Sequence, residues 1–481
     1  YRDELEAICA RMVDLSKPFE AGLYYNSKMR GHYSLKNILP VFSKDLSYKN
    51  LDIQNGLNAV FAYRTYADKN EEAKKEVSRC LKCPRPLCKM KGCPAELRIN
   101  EFMKAFFDGN EEEAYRIIRT GSNLPLICSR VCDHDSQCRG ACVLNFKHMP
   151  IIPGNIERYL ADKFAGQNEP FQPFDRDLSV AIIGSGPAGL SCALELAQNG
   201  IQSTIFEKEK YFGGILSYGI PEYRLPLSVL NRQIDVLKQA GIKFVNSWNE
   251  DISDFAKFDY VVYATGLTKY SYMGIEGENL EGVYDGGTFL KAINYHIRYN
   301  EPFNLNFGNK IVVVGAGNVA MDCARSARRL GKEVIVVYRR SEKEAPAAKE
   351  ELEAAKNEGI EFYFLTNPTK IVGKDHVEKI IVEKMTLGEK DASGRQRPVP
   401  TGVYQEFEAD NFILAIGQKP DLELAQKMML PFEKGWISFD EINFVEDKVL
   451  AAGDIVYGAK TVVAAMVSGK KAAHAILDKS N

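Results

Sequence analysis

Short, wholly apolar runs alternate in the second half of the chain with stretches whose apolar residues recur every three or four positions. Val180-Ala181-Ile182-Ile183 is one such run and Ile311-Val312-Val313-Val314 is another. A run with no polar face suits a strand covered on both sides, as in a parallel sheet. The first run is followed by apolar positions at Leu190, Leu194 and Leu196, and the second by a helical pattern from Met321 to Leu330. Further strands are expected from Ser203 to Phe206 and from Glu333 to Val337. The stretches Tyr260 to Gly266, Phe412 to Gly417 and Val449 to Asp454 read as strands that end at a glycine, and Thr461 opens an apolar helix through Val467. This order predicts an α/β fold with two Rossmann-type domains. Residues 1–75 read instead as amphipathic helices.

Composition narrows the class. A chain of 481 residues suggests about three domains. Hydrophobic residues at 45% and charged residues at 26% exclude a disordered or fibrous chain. The net charge of −2 gives no sign of a nucleic-acid partner. No apolar run approaches the ~18 residues of a membrane span. The opening Tyr1-Arg2-Asp3-Glu4-Leu5-Glu6 has no apolar signal core, so a cytoplasmic protein is expected.

The two apolar strands each lead into a glycine loop. Gly184-Ser185-Gly186-Pro187-Ala188-Gly189 sits between a strand and a helix, and the next strand ends at Glu207. Glycines let the backbone approach a pyrophosphate, the helix N-terminus supplies N–H donors, and the acid receives ribose hydroxyls. Gly315-Ala316-Gly317-Asn318-Val319-Ala320 repeats the pattern, but its second strand ends in Tyr338-Arg339-Arg340. Arginines where an acid would favour NAD can grip the 2′-phosphate of NADP; the alternative is a solvated strand end. One acidic and one basic strand edge point to FAD at the first loop and NADP(H) at the second. Asp454 is suited to the ribityl chain of FAD, or to plain helix capping.

Eight of the eleven cysteines fall between Cys80 and Cys142. They read Cys80-x2-Cys83-x4-Cys88-x4-Cys93 and Cys128-x3-Cys132-x5-Cys138-x3-Cys142. Disulfides suit small secreted domains, and structural zinc favours paired C-x2-C knuckles, of which only Cys80/Cys83 has the spacing. Pro84 and Pro94 each follow a cysteine, as in iron–sulfur proteins, and eight thiols suffice for two four-iron clusters. Lys82, Arg85, Lys89, Lys91 and Arg98 would balance an anionic cluster, or form a solvated basic loop.

Together, Arg79-Cys80-Leu81-Lys82-Cys83, Gly92-Cys93-Pro94, Cys138-Arg139-Gly140-Ala141-Cys142, the stretch Gly213 to Glu222, Val337 to Arg340 and Ala452-Gly453-Asp454 resemble the small subunit of glutamate synthase. The same pieces are similar to the flavin half of dihydropyrimidine dehydrogenase and to a subunit of bifurcating ferredoxin–NADP oxidoreductases. The resemblance runs from about residue 75 to the end. It implies a helical double [4Fe-4S] domain, placed at 76–165; the helical stretch at 1–75 reads as an N-terminal extension to it. Pro170 and Pro173 mark residues 166–177 as a linker, and the resemblance implies an FAD domain at 178–300 and 409–481, interrupted by an NADP domain at 301–408. It implies one cluster on Cys80, Cys83, Cys88 and Cys142, and another on Cys93, Cys132, Cys138 and Glu157. Spacing alone would make Glu157 a helix-surface acid, and Cys128 is left as a small buried residue. Lys208, Gly214, Ile215, Leu216, Arg224, Thr265, Gly266, Gly417, Gly453 and Thr461 join the expected cofactor-binding residues. In two places the chain departs from the family: about 79 residues precede Cys80, and no proline follows Cys132.

The expected activity uses no side-chain acid or base. NADPH would give a hydride to flavin N5, and single electrons would pass to the two clusters. The acceptor would be a redox partner subunit or a ferredoxin, with the chain working in a hetero-oligomer. Two rivals are a structural electron conduit with a vestigial nucleotide site and a thioredoxin-reductase-like enzyme. The latter needs a C-x-x-C pair near the flavin, whereas Cys192 and Cys323 stand alone. The charged stretch from Glu350 to Gly359 reads as a plain solvated helix.

Overall fold

The structure is a computed structural model that describes residues 69–481, apart from His148, Asn168, Pro170, 391–393, 441–443 and Asn481. The helices expected within residues 1–68 thus lie outside the described residues; α1 (Lys69–Ser78) follows them. Residues Tyr1–Arg79 and Cys80–Asn481 are separate units, and the second carries all the sites described below.

The second unit opens with four helices: α2 (Ile99–Phe107), α3 (Glu111–Gly121), α4 (Pro125–Val131) and α5 (Pro153–Phe164). Helix α2 buries Ile99, Phe102, Met103 and Phe106, a single stripe at helical spacing. Asn110 accepts from the Glu113 N–H to start α3. Pro125 and Pro153 occupy the first turns of α4 and α5, where their missing N–H costs nothing.

The stretch after α5 differs from the expected linker. Glu169 is buried against Arg119 at 3.0 Å, and also receives the Tyr115 hydroxyl and the Gly166 N–H. This buried ion pair, with the two further donors on Glu169, ties the start of the segment to α3. Pro170, one of the two prolines that suggested a free spacer, lies outside the described residues.

The first sheet contains β1 (Ser179–Ile183), β2 (Gln202–Phe206), β3 (Lys243–Val245) and β4 (Tyr260–Tyr263), joined later by two strands from the chain's end. Helices α6 (Pro187–Gln198) and α7 (Leu227–Gln239) belong to it. The chain then builds a second sheet, with β5 (Val283–Asp285), α8 (Gly286–Tyr299), β6 (Lys310–Val314), α9 (Asn318–Arg329), β7 (Glu333–Tyr338), α10 (Lys349–Asn357) and β8 (Glu361–Phe364). Three antiparallel strands follow: β9 (Thr366–Val372), β10 (Lys379–Lys390) and β11 (Gln396–Glu408). Strand β12 (Asn411–Leu414) returns to the second sheet. Strands β13 (Phe444–Glu446) and β14 (Val449–Ala451) return to the first, and α11 (Val462–Ser480) covers it.

The first sheet runs β13-β14-β4-β1-β2-β3 and the second β5-β12-β6-β7-β8. All pairings in the second sheet are parallel, and only β13 runs antiparallel in the first. The α/β class with a helical domain in front is thereby established. The insertion is wider than the 301–408 expected from sequence. Strand β12 pairs with β5 on one side and β6 on the other, so 283–299 and 411–414 belong with the second sheet. An apolar run announces a buried strand but carries no mark of which sheet receives it. No helix among the described residues is long and apolar enough to cross a membrane.

Candidate functional site

The first glycine loop joins β1 to α6. A side chain at Gly186 would meet no atom within 4 Å, so the loop borders open space. A Cβ at Gly189 would stand 2.0 Å from the Gly184 carbonyl oxygen, so only glycine lets α6 pack this close to the loop. Glu207, just past β2, receives the Ser185 N–H at 3.0 Å and its hydroxyl at 2.5 Å, while its other oxygen receives the Glu209 N–H at 2.9 Å. Ser185 Oγ in turn receives the Gly213 N–H. The acid is fixed at the cavity edge by backbone donors.

The cavity there measures about 410 Å³. Gly184, Gly186, Pro187, Ala188, Glu207, Lys208, Gly214, Ile215, Arg224, Thr265, Gly266, Gly453, Asp454 and Thr461 all line it. Gly189 and Leu216 are buried beneath. Burial pushes the Asp454 carboxyl up to about 6. Thr461 Oγ1 receives the Ala464 N–H, which starts α11 with its N-terminus at the cavity. This lining of glycines, helix N-termini and two carboxylates fits a flavin dinucleotide. One support was not legible in sequence: Arg298 on α8 donates to the carbonyls of Leu216 and Ser217 at 2.8 and 2.6 Å and to Glu222 at 2.9 Å. It fixes the Gly213–Glu222 segment from below. Arg224 also behaves differently from a plain cofactor contact, because its guanidinium pairs with Asp322 and Glu351.

The second glycine loop joins β6 to α9 and borders a cavity of about 780 Å³. Gly315, Gly317, Asn318, Val319, Arg339, Arg340 and Gly417 line it, and Ala320 is buried in the helix below. Arg339 is exposed at the end of β7, whereas Arg340 is buried and its Nε donates to the Gln396 carbonyl at 2.9 Å. The cationic end of this cavity fits a phosphorylated dinucleotide. The two cavities meet: Gly287, Asn318, Val319, Gln418 and Ala459 line both.

The cysteines fall into two groups. Burial, with Cys142, Cys80 and Cys83 as neighbours, pushes the Cys88 thiol up to about 11. Cys80 is raised by burial and by Cys83 and Cys142. These four thiols form the first group. Cys93, Cys132, Cys138 and Glu157 line a separate small cavity with Cys128 and His134. Burial pushes Cys93 up to about 11, with Glu157 adding to it. Glu157 is buried on α5, contrary to the helix-surface reading, and burial alone lifts its carboxyl to about 8. A buried carboxylate facing one buried and two half-buried thiols is unfavourable by itself, and a bound metal group would offset that cost.

Among the described residues no three His, Cys, Asp or Glu side chains converge on a point that one metal ion could occupy. The ten described cysteines are all free thiols. Cys128 packs its sulfur 3.8 Å from Met466, as a small core residue. Cys192 and Cys323 are each fully buried on α6 and α9, which deprives a thioredoxin-reductase-like reading of its redox pair.

The second cysteine group adjoins the first cavity. Val131 and Asp133, on either side of Cys132, line the cavity of the first glycine loop. Val462 on α11 lines that cavity, while Val463 lines the cysteine cavity.

Comparison with known proteins agrees with this layout. Residues 178–469 match the family described as Pyridine nucleotide-disulphide oxidoreductase, and residues 58–169 match Dihydroprymidine dehydrogenase domain II, 4Fe-4S cluster. The chain is 35% identical over 436 residues to the glutamate synthase [NADPH] small chain of Halomonas elongata, covering 85% of this chain and 91% of that one. It is 34% identical to the Escherichia coli counterpart, over 85% and 91%. It is 37% identical to the NADP(+)-dependent formate dehydrogenase subunit beta of Moorella thermoacetica, over 80% of this chain and 59% of that one. The Mycobacterium tuberculosis FprA structure in complex with NADPH shares the fold at 20% identity and a TM-score of 0.54, over 63% of this chain and 85% of FprA. The chain therefore belongs to the pyridine nucleotide-disulphide oxidoreductase family, among flavin-dependent members that carry a 4Fe-4S domain and include the glutamate synthase small chains.

Proposed function

We propose that this chain is an NADPH-dependent oxidoreductase subunit that moves electrons between NADP(H) and a separate redox protein through FAD and two [4Fe-4S] clusters. The observation that carries the reading is adjacency. The two dinucleotide cavities share a wall at Asn318, Val319 and Gln418, and the Cys93/Cys132/Cys138/Glu157 cavity adjoins the first of them through α11 and the loop after α4. When bound, FAD would accept a hydride at N5 and release electrons singly to iron–sulfur clusters.

The protein's share is positioning and electrostatics. Glu207 and Asp454 would hold ribose and ribityl hydroxyls, and the first turn of α6 would receive the pyrophosphate. The N-terminus of α11 favours negative charge at the end of the flavin that becomes electron-rich. Arg339 and Arg340 select the nucleotide carrying a 2′-phosphate. Cys93, Cys132, Cys138 and Glu157, beside the first dinucleotide cavity, would hold one cluster, and Cys80, Cys83, Cys88 and Cys142 would hold the other. Open cavities at both glycine loops speak against a conduit with a vestigial nucleotide site.

The surface around Cys80, Cys83, Cys88 and Cys142 suggests the partner's chemistry. Leu81, Met90, Phe107 and Phe146 are exposed, and Lys82 lies 4.0 Å over the Phe107 ring. Lys82, Arg85 and Lys91 are exposed basic residues beside the ligand cysteines. Exposed apolar residues interspersed in sequence with exposed basic ones suit an acidic one-electron carrier or partner subunit. The relatives named for glutamate synthase and formate dehydrogenase are subunits, so the final chemistry is assigned to another chain.

Anaerobic purification of the native complex tests the reading. About eight iron atoms and eight sulfides per FAD are expected, together with a co-purifying redox subunit. Zinc in place of iron, or a chain without flavin, would refute it.

A further inference from the structure

We infer that Arg395, on the hairpin between β10 and β11, is a second contact, beside Arg339, to the 2′-phosphate of NADP(H), and that Arg340 is the positioning residue that brings it there. This rests on the reading of the second cavity as the NADP(H) site.

Of the two arginines at the end of β7, only Arg339 is exposed. Arg340 is buried, and its guanidinium is engaged with backbone, Nε donating to the Gln396 carbonyl at 2.9 Å. Gln396 immediately follows Arg395 and opens β11. Arg395 is exposed and lines the same cavity as Arg339, although the two are 56 positions apart in the chain.

The backbone reinforces the link. The Leu365 N–H donates to the Arg340 carbonyl at 3.0 Å, and the Met385 N–H on β10 donates to the Leu365 carbonyl at 2.7 Å. Lys390 on β10 pairs with Gln396 on β11, which closes the hairpin next to Arg395. The strand end that carries Arg339 and the hairpin that carries Arg395 are thus joined through Arg340 by both side chain and main chain. A doubly charged phosphate monoester offers enough oxygens for two guanidinium groups. The ribose 2′-phosphate is the group that the cationic end of this cavity is suited to receive.

Calorimetric titration of the holoprotein with adenosine 2′,5′-bisphosphate and with 5′-AMP separates the phosphate contact from adenosine binding. Arg395→Gln is expected to weaken the bisphosphate about tenfold or more and leave 5′-AMP unchanged, as for loss of a charged hydrogen bond. Arg395→Lys should recover part of the loss. Arg340→Gln should lower bisphosphate affinity, and the Arg340→Gln/Arg395→Gln double variant should be no weaker than the weaker single variant, since one residue acts through the other. The KM for NADPH should rise with the same variants while kcat at saturation holds.

Unchanged bisphosphate binding in Arg395→Gln would overturn the contact. Strictly additive losses in the double variant would overturn the positioning role of Arg340. If the unmodified protein binds 5′-AMP as tightly as the bisphosphate, the NADP(H) reading of the cavity fails, whatever the variants do. Because Arg395 is exposed, its substitution is expected to leave folding and flavin content intact, and the flavin absorbance of each sample checks this.

Discussion

Arg224 and Asp322 meet across the two nucleotide domains, with Arg224 Nη1 3.0 and 2.8 Å from the two carboxylate oxygens and both side chains largely buried. Arg224 Nε also lies 3.2 Å from Glu351 on α10. Arg325 pairs with Glu351 and Glu358, Arg329 pairs with Glu358, and both guanidinium groups lie over the Tyr223 ring. The segment that follows the flavin cavity is thereby locked to the helices of the second domain. In this arrangement the two cavities share a wall at Asn318, Val319 and Gln418.

Asp322→Ala leaves a buried guanidinium short of a partner. The loss expected is about 3 kcal/mol of stability, toward the lower end for a broken buried pair because Glu351 remains. Replacing both residues with apolar ones, as in Arg224→Met/Asp322→Leu, should recover much of it. Chemical denaturation midpoints of the three proteins would check both statements.

Asp454 gives a pH dependence with a definite sign. Its carboxyl is raised to about 6 by burial, so the folded FAD-free protein keeps this proton to higher pH than the unfolded chain. Its ionisation therefore lowers apoprotein stability as pH rises from about 4 to about 6. A ribityl hydroxyl donating to the carboxylate favours the charged form instead. FAD affinity should strengthen as pH rises through about 6, by up to roughly tenfold per unit, and Asp454→Asn should flatten the profile. Quenching of FAD fluorescence on titration into deflavo-protein measures this.

Glu157 separates one cluster from two. Glu157→Ala should drop the iron content from about eight to about four per chain, and Glu157→Cys should restore it. Full iron and sulfide in Glu157→Ala would remove Glu157 from the ligand set.

The basic, apolar surface beside Cys80 and Cys88 predicts an ionic-strength effect. Electron transfer to an acidic partner should slow as salt rises, and Lys82→Glu or Lys91→Glu should slow it further at low salt. NADPH-dependent reduction of a small neutral dye should not respond to either change.

The two glycine loops were legible because their chemistry is local: strand, glycines, helix and terminal residue lie within one short stretch. The division of the cysteines followed from family resemblance, since spacing alone leaves Glu157 as a surface acid. Its burial is a tertiary fact, set by how α5 packs against the loops that carry Cys93 and Cys138. The same holds for β12, whose apolar residues would suit either sheet, and for Glu351 and Glu358, which look like solvated charges until Arg224, Arg325 and Arg329 face them. Arg395 had no signal in sequence because a hairpin far along the chain delivers it. The buried Arg119–Glu169 pair likewise turned a proline-marked spacer into a fixed segment.

The central claim is that NADPH reduces a flavin in contact with iron–sulfur clusters. Anaerobic addition of NADPH to the holoprotein, followed at once by flavin absorbance and by electron paramagnetic resonance, tests it most directly. Bleaching of the flavin is expected, together with a change in iron–sulfur absorbance or the appearance of reduced-cluster signals. A flavin that stays oxidised in excess NADPH, or one that bleaches while fully assembled clusters of suitable potential never take up an electron, would contradict it.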